Sequence, residues 1–161
     1  MTIANVSSMA AKNGARHRSG CPVNISLKVF GDRWSLLIVR DLMVRGFTTF
    51  QDFVNSGEGI ATNILADRLK KLQKSGIVFG ERDKKDGRRI IYRLTEKGID
   101  LAPVMLELLI WGAQHEKMGA PPAAVAEMAK NRRAVVEETR RRWKKRDAAP
   151  LLPWLGGPRR D

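Results

Sequence analysis

The feature that most constrains this fold is a pair of strand-like segments in a chain whose other apolar patterns are helical. The segments run from Ile77 to Arg82 and from Arg89 to Leu94, and both are rich in β-branched and aromatic residues. Between them lies Asp86-Gly87, a dipeptide that tight turns favour. We therefore expect one two-stranded hairpin with a basic tip.

Three short helices are predicted before this hairpin. The first opens at Pro22, the second is capped by Asp32 and ends at Gly46, and the third is capped by Thr48 or Thr49. Each helix is indicated by apolar residues at helical spacing. In the first helix, Ile25, Val29 and Phe30 lie on one side. The second helix contains Trp34, Leu37, Ile38, Leu42 and Met43, and the third contains Phe50, Phe53 and Val54.

A fourth helix is predicted because Leu65, Leu69 and Leu72 recur at helical spacing before Gly76 supplies an end signal. This helix should bury its leucine stripe and expose a polar, basic side. Residues 68–93 hold ten basic residues against three acidic ones. The fourth helix and the hairpin are therefore expected to share one positive face.

A fifth helix is predicted to start at Thr95-Glu96 and to become apolar on all sides. Ten of the thirteen residues from Leu101 to Ala113 are apolar. The rest of a chain this small can cover one side of such a helix, so we expect a second copy to cover the other and the protein to be a homodimer. The expected interface residues are Val104, Met105, Leu108, Leu109 and Trp111.

The composition favours a polyanionic partner. The 161 residues amount to about one domain, and the formal net charge of +13 suits nucleic acid or an acidic membrane surface. No stretch is long and apolar enough to span a membrane. One cysteine cannot form a disulfide within the chain, and two histidines give no metal-ligand spacing. We expect no metal, no cofactor and a cytoplasmic location.

Three regions are expected along the chain. Residues 1–20 form a flexible basic arm, 21–118 the folded domain with its dimerisation helix, and 119–161 a basic extension with one helix from Ala123 to Arg146 and an irregular tail. The tail carries apolar residues that could dock on the rest of the chain, namely Leu151, Leu152, Trp154 and Leu155.

Helices followed by a basic hairpin are the order of a winged helix-turn-helix domain. In that arrangement the start of the recognition helix reaches base edges in the major groove of duplex DNA, and the hairpin, or wing, contacts the backbone or the minor groove. The residues assigned to base reading are Thr62, Asn63 and Asp67, those assigned to phosphates on the same helix are Arg68, Lys70 and Lys71, and those of the wing are Lys84, Lys85, Arg88 and Arg89.

A recognisable combination of residues spans positions 21–118. It consists of Cys21-Pro22, Gly31-Asp32-Arg33-Trp34, Leu36-Leu37-Ile38, Phe50, Ile60, Leu65, Arg68-Leu69, Leu72, Gly76-Ile77-Val78, Tyr92, Leu94-Thr95 and Gly98. This combination resembles the HxlR type of bacterial transcriptional regulator, although Ala61 stands where that family usually has a capping serine. The resemblance implies a dimeric winged-helix DNA-binding protein. Some members use the cysteine of the Cys-Pro start to sense oxidants or electrophiles.

Cys21 has two interpretations. A buried cysteine is ordinarily an inert, small hydrophobic residue. A helix start at Pro22 and the preceding Arg16, His17 and Arg18 would instead favour the thiolate and make Cys21 a sensor of a small oxidant or electrophile.

The sequence therefore predicts a regulator that binds a pseudo-palindromic operator in double-stranded DNA as a homodimer, with Cys21 as a possible switch. One alternative is an architectural protein that binds DNA without sequence preference. The other is a thiol redox enzyme, since His17 lies four residues before Cys21, but no third residue is evident to orient that pair. We expect no catalytic activity.

Overall fold

The structure, a computed structural model, describes residues 20–116 and 119–156. The predicted basic arm lies outside these residues, apart from Gly20. The elements are α1 (Pro22–Phe30), α2 (Arg33–Arg40), α3 (Phe50–Val54), α4 (Thr62–Lys74), β1 (Val78–Arg82), β2 (Ile90–Leu94), α5 (Glu96–Ile99), α6 (Ala102–His115), α7 (Pro122–Lys130) and α8 (Arg132–Lys145). A mainly helical fold with one small β-hairpin is thus confirmed.

The core is built around α4. Its Leu65, Leu69 and Leu72 are at most 2% exposed. Phe47 and Phe53 pack into the same core and meet edge to face, with ring centroids 6.1 Å apart. The head domain, defined as residues 22–54 with α1, α2 and α3, therefore shares one apolar interior with α4 and the base of the hairpin.

The helix starts follow from local capping chemistry. Asp32 Oδ1 accepts hydrogen bonds from the backbone N–H groups of Trp34 (3.1 Å) and Ser35 (2.9 Å), which fixes the start of α2. Thr49, rather than Thr48, caps α3, and its side chain forms a reciprocal capping box with Asp52. The predicted cap of α2 is therefore confirmed, and the choice left open at α3 is settled.

The hairpin is antiparallel, with a register that runs from Val78 opposite Leu94 to Arg82 opposite Ile90. The other edge of β2 is covered by the chain that enters α3, because Tyr92 N donates to the Thr48 carbonyl at 2.7 Å. The wing is thus held by the head domain at its base while its tip extends away.

The predicted fifth helix is divided into two. α5 ends at Ile99 and α6 begins at Ala102. Pro103 lies in the first turn of α6, where a backbone N–H would have no partner within the helix, so its absence costs nothing. In a continuous helix from Thr95, Pro103 would remove an internal hydrogen bond, and its ring would clash with the carbonyl of Ile99.

The single helix predicted from Ala123 to Arg146 is wrong, since the chain breaks at Asn131 between α7 and α8. Asn131 has φ −115° and ψ 36°, outside the helical region. Its side-chain amide donates to Glu127 Oε1 at 2.6 Å. Asparagine favours such breaks because its short amide competes with the helical hydrogen bonds of the backbone.

The segment after α8 docks on the head domain, as its apolar residues suggested. Leu152 is buried, and the N–H groups of Leu151 and Leu152 donate to the Val44 carbonyl at 2.8 and 3.3 Å. Gly46, with φ +73°, has the Ala148 carbonyl oxygen 2.5 Å from the position that a Cβ would take. Only glycine allows this approach, so the extension is part of the folded structure.

Candidate nucleic-acid interface

α4 carries the side chains expected to read bases in its first two turns, with Thr62 and Asn63 in the first and Asp67 in the second. It follows α3 after a turn in which Gly57 and Gly59 adopt positive φ values of 86° and 75°. Thr62, Asn63 and Asp67 are exposed, because they lie opposite the buried leucine stripe. This exposed first turn has the position and chemistry that base recognition in a major groove requires.

Ala61 occupies the N-cap position of α4 and makes no capping hydrogen bond through its side chain. The first backbone N–H groups of α4 therefore depend on other acceptors. The positive end of the helix lies beside Thr62 and Asn63, which suits an anionic partner.

The cations expected to contact phosphates from α4 divide into two groups. Lys70 is exposed. Arg68 Nε lies 3.2 Å from Asp32 Oδ1, close enough for an ion pair but not aligned for a hydrogen bond, and Lys71 Nζ lies 3.6 Å from Asp32 Oδ2. Arg68 and Lys71 thus join α4 to the start of α2, a role that sequence reasoning missed.

Asp32 is charged at neutral pH in this arrangement. Its partial burial, the largest single influence, raises the pKa of the carboxyl group, but hydrogen bonds from Ser35 and the charges of Arg68 and Lys71 together outweigh it. The pKa of Asp32 is therefore below its ordinary value. One carboxylate caps α2 and also anchors two cations of α4.

The acidic residues of the wing organise its turn, and several of its cations point outward. Asp83 accepts hydrogen bonds from Lys85 N and from Arg89 Nε at 2.9 and 2.7 Å, and these contacts lower the pKa of Asp83. Lys84, Lys85 and Arg88 are exposed. Arg89, one of the predicted DNA contacts, is thus engaged within the hairpin, whereas the other predicted wing cations face solvent.

The wing is fixed relative to α4. Ile77 N donates to the Leu72 carbonyl at 3.0 Å, and Gln73 lies against Gly80 on β1. The exposed side of α4 and the basic hairpin therefore belong to one rigid surface.

A second set of exposed side chains is apolar and lies on α6. Val104, Leu108 and Trp111 are 43%, 47% and 58% exposed. Of the other expected interface residues, Met105 and Leu109 are half-buried.

α1 also exposes apolar side chains, which the sequence analysis did not predict. No residue of α1 is fully buried, and Val23, Ile25 and Leu27 are exposed. The sequence pattern places Ile25, Val29 and Phe30 on one side of this helix, but Ile25 is 51% exposed whereas Val29 packs against the core. The spacing of Val23 and Leu27 at i and i+4 was the available signal for a second apolar side.

Cys21 is exposed and lies at the N-cap of α1, where its carbonyl accepts a hydrogen bond from Ile25 N at 3.0 Å. The interpretation of Cys21 as a buried hydrophobic residue is therefore wrong. The preceding Arg16, His17 and Arg18 lie outside the described residues.

Within the described ranges, no helix has the length and apolar character needed to cross a bilayer.

Comparison with known proteins identifies this arrangement. The profile of the family described as HxlR-like helix-turn-helix matches residues 29–119. The chain is 32% identical over 101 residues to YybR of Bacillus subtilis, an uncharacterized HTH-type transcriptional regulator; the match covers 63% of this chain and 80% of YybR.

Solved structures show the same fold. PA1607, described as a proposed transcription factor, superposes with a TM-score of 0.58 at 38% identity, over 65% of this chain and 71% of its own. The redox regulator HypR in its oxidized form gives a TM-score of 0.55 at 27% identity, over 61% of this chain and all of its own (100%).

Replacing Asp32 tests its double role. Asp32→Ala should lower the free energy of unfolding by about 1 to 3 kcal/mol, because both the cap and the anchor for two cations are lost. Asp32→Asn retains a capping side chain and should cost less. Urea unfolding at pH 7 measures both. Glu116→Gln, which replaces an exposed acid away from the Asp32 network, is a near-neutral control.

The pH dependence of the free energy of unfolding provides a second test of the role of Asp32. Because the pKa of Asp32 is lowered in the folded state, its stabilisation is complete above the ordinary aspartate pKa of about 3.9 and is lost as pH falls through the lower folded value. The difference between the original protein and Asp32→Asn should narrow below about pH 4. A difference that stays constant as the pH is lowered well below about 4 would contradict an ionised anchor.

Proposed function

Because the chain belongs to the HxlR-like helix-turn-helix family of transcriptional regulators, we propose that it is a homodimer that binds a specific operator in double-stranded DNA. In this proposal α4 reads bases through Thr62, Asn63 and Asp67. Lys70 and the wing contact phosphates, and Arg68 and Lys71 support α4 from the side of α2. The protein acts by binding, not by catalysis.

The observation that carries the proposal is the exposed polar first turn of α4, held beside a hairpin with a basic tip. An asparagine amide can form two hydrogen bonds to adenine, and a threonine methyl group can contact the methyl of thymine. Lys84, Lys85 and Arg88 project from the wing and can follow the backbone or enter a minor groove. This division of labour between base and phosphate contacts is what sequence-specific binding needs.

The exposed apolar surface supports a dimer. Val104, Leu108 and Trp111 on α6 lie in solvent in a single chain, and α1 adds further exposed apolar residues. Burial of these residues against a second copy would remove the cost of hydrating them. A twofold axis through this surface would place two α4 helices for two half-sites of a pseudo-palindrome.

Exposure of Cys21 at the start of α1 supports a redox switch, together with the likeness to HypR, which has been solved in oxidized and reduced forms. A hydroperoxide would convert the Cys21 thiolate to a sulfenic acid and leave as an alcohol or water. The sulfenic acid would then condense with the Cys21 thiol of the second copy, or with a small thiol, to give a disulfide and water. Two thiols thereby lose two electrons to one peroxide.

Selection of binding sites from a random duplex pool tests the function as a whole. We expect one pseudo-palindrome to be preferred over random duplex by about a thousandfold or more, with protected half-sites roughly 34 to 36 Å apart. Similar affinity for all duplexes would favour the architectural alternative. Catalytic turnover of peroxide or quinone would favour the thiol enzyme.

Single substitutions separate base reading from phosphate contact. Asn63→Ala should relax base preference at symmetric operator positions and cost about 1 to 3 kcal/mol per lost bidentate contact. Lys84→Ala should weaken binding to all sequences alike and lower the salt dependence. Unchanged selectivity in Asn63→Ala would assign base reading to another residue, such as Thr62.

A charged residue at the apolar surface tests the dimer. Leu108→Asp should shift the protein from dimer to monomer in analytical ultracentrifugation, because an unpaired carboxylate would be buried at the interface. Gln114→Glu, an exposed position near the end of the same helix, is the control and should remain dimeric. A monomeric unaltered protein at micromolar concentration would overturn the dimer.

Replacing the thiol tests the switch. Diamide should reduce the affinity of the unaltered protein for its selected operator, and a reductant should restore it. Cys21→Ser should bind the operator with unchanged affinity whether or not diamide is present. Sensitivity that persists in Cys21→Ser, or an unaltered protein that does not respond, would remove Cys21 from the mechanism.

A further inference from the structure

We propose that the basic end of α8, defined as Arg141, Arg142, Lys144, Lys145 and Arg146, is a second DNA-binding surface that contacts phosphates beyond the wing. This inference rests on the proposed function, and it concerns residues outside the 29–119 segment that the family profile matches. It extends the operator contact of each subunit into the flanking duplex.

The basic end of α8 is held firmly against the wing. Trp143 Nε1 donates to the Leu94 carbonyl at 2.9 Å, where β2 leaves the hairpin. Arg146 Nη1 lies 3.7 Å from Glu81 Oε1 on β1. The chain beyond α8 is then tied down by the docked segment around Leu152, so these cations keep a fixed place beside the wing.

The pairing register shows on which face of the wing they lie. Gly80 and Tyr92 form a cross-strand pair, and Gly80 faces Gln73 of α4. Side chains alternate along a strand, so the neighbouring Glu81 points to the opposite face, where Arg146 meets it. The wing therefore lies between α4 on one side and the basic end of α8 on the other.

A groove separates the outer face of the wing from the end of α8. Its volume is about 640 Å³, and its walls include Arg93 of β2, Asp83 at the wing tip and Lys144 and Arg146 of the extension. The groove is open to solvent, and its walls combine these charged side chains with apolar ones such as Phe79 and Trp143. Phosphate binding is therefore attributed to the exposed cations at its edge and not to the groove itself.

The charges on this surface favour an anion through the lysines rather than through Arg141 and Arg142, which pair with Glu138 of the same helix. Glu81, the acid on the outer face of β1, is bridged by Arg93 at 2.9 Å and by Arg146 at 3.7 Å, and its pKa is lowered by these contacts, chiefly the hydrogen bond from Arg93. Lys144 and Lys145 are exposed, and among the described residues neither has an acidic side chain within 4.0 Å. Within the part of the chain that the structure describes, Lys144 and Lys145 thus carry positive charges without an acidic partner and lie near Glu81, whose negative charge is balanced by Arg93 and Arg146.

The position fits the geometry of a duplex. With α4 in a major groove and the wing at the adjoining backbone, the next structure on the outer side of the wing is the phosphate backbone of the flanking DNA. Duplex DNA carries about one charge per 1.7 Å of axis, so a lysine placed there meets phosphates whatever the sequence. The end of α8 would add affinity and footprint length without adding base preference.

The experiment compares two lengths of one selected operator. The short duplex ends just beyond the footprint of the wing, and the long duplex carries about ten further base pairs on each side. Affinity for both is measured by fluorescence anisotropy over a range of salt for the full chain and for Lys144→Ala/Lys145→Ala. The control, Lys130→Ala/Arg133→Ala, removes two exposed cations of the same extension. Lys130 lies at the end of α7, and Arg133 lies in the first turn of α8, about 16 Å along the helix axis from Lys144.

The unaltered protein and the control should bind the long duplex at least about tenfold more tightly than the short one. Lys144→Ala/Lys145→Ala should lose this preference, and its salt slope on the long duplex should fall by about 2 to 4, since each lost phosphate contact in the dimer removes about 0.9. On the short duplex, it should bind like the unaltered protein.

Two outcomes would overturn the inference and leave the proposed function intact. The first is an unaltered protein that binds both lengths equally while still selecting one operator. The second is a length preference that survives in Lys144→Ala/Lys145→Ala. In that case the two lysines would only stabilise the C-terminal end of α8, where positive charges interact favourably with the helix dipole. Failure to select any operator would instead remove the proposed function itself, and this inference with it.

Discussion

Burial of the leucine stripe of α4 is the interaction on which the rest of the structure depends. Leu65, Leu69 and Leu72 are at most 2% exposed, and full burial of each contributes about 1.5 to 3 kcal/mol. The same burial sets the rotation of α4 about its axis. Thr62 and Asn63 face outward because the leucines face inward, so the stability of the core and the placement of the candidate base-reading residues have one cause.

A buried arginine then joins the head domain to the extension. Arg45 pairs with Asp41 at 3.2 Å, and it donates to the carbonyls of Ser56 at 3.2 Å and Gly156 at 2.9 Å. Burial raises the pKa of Asp41, while the charges of Arg40 and Arg45 oppose that rise. Because a buried charge without its partner is costly, this network holds the turn before α4 and Gly156 of the extension together.

Local signals in the sequence were sufficient for most elements of the fold. The Asp32 cap, the leucine stripe and Asp86-Gly87 each act over a few residues, so α2, α4 and the hairpin could be predicted. Packing decided what the sequence could not show: which side of α1 faces outward, and that Arg68 and Lys71 turn toward Asp32. The break at Asn131 was missed because one side-chain hydrogen bond outweighs an otherwise helical pattern.

Asp32 also connects α1, which starts after Cys21, to α4. Only Gly31 and Asp32 separate α1 from α2, and a Cβ at Gly31 would collide with the Leu27 carbonyl, so this connection is tight. A disulfide at Cys21 would reposition α1, and the shift would reach Asp32 through this short link. Since Asp32 holds Arg68 and Lys71, the proposed disulfide would tilt α4 while the oxidised residue itself stays outside the proposed DNA-binding face.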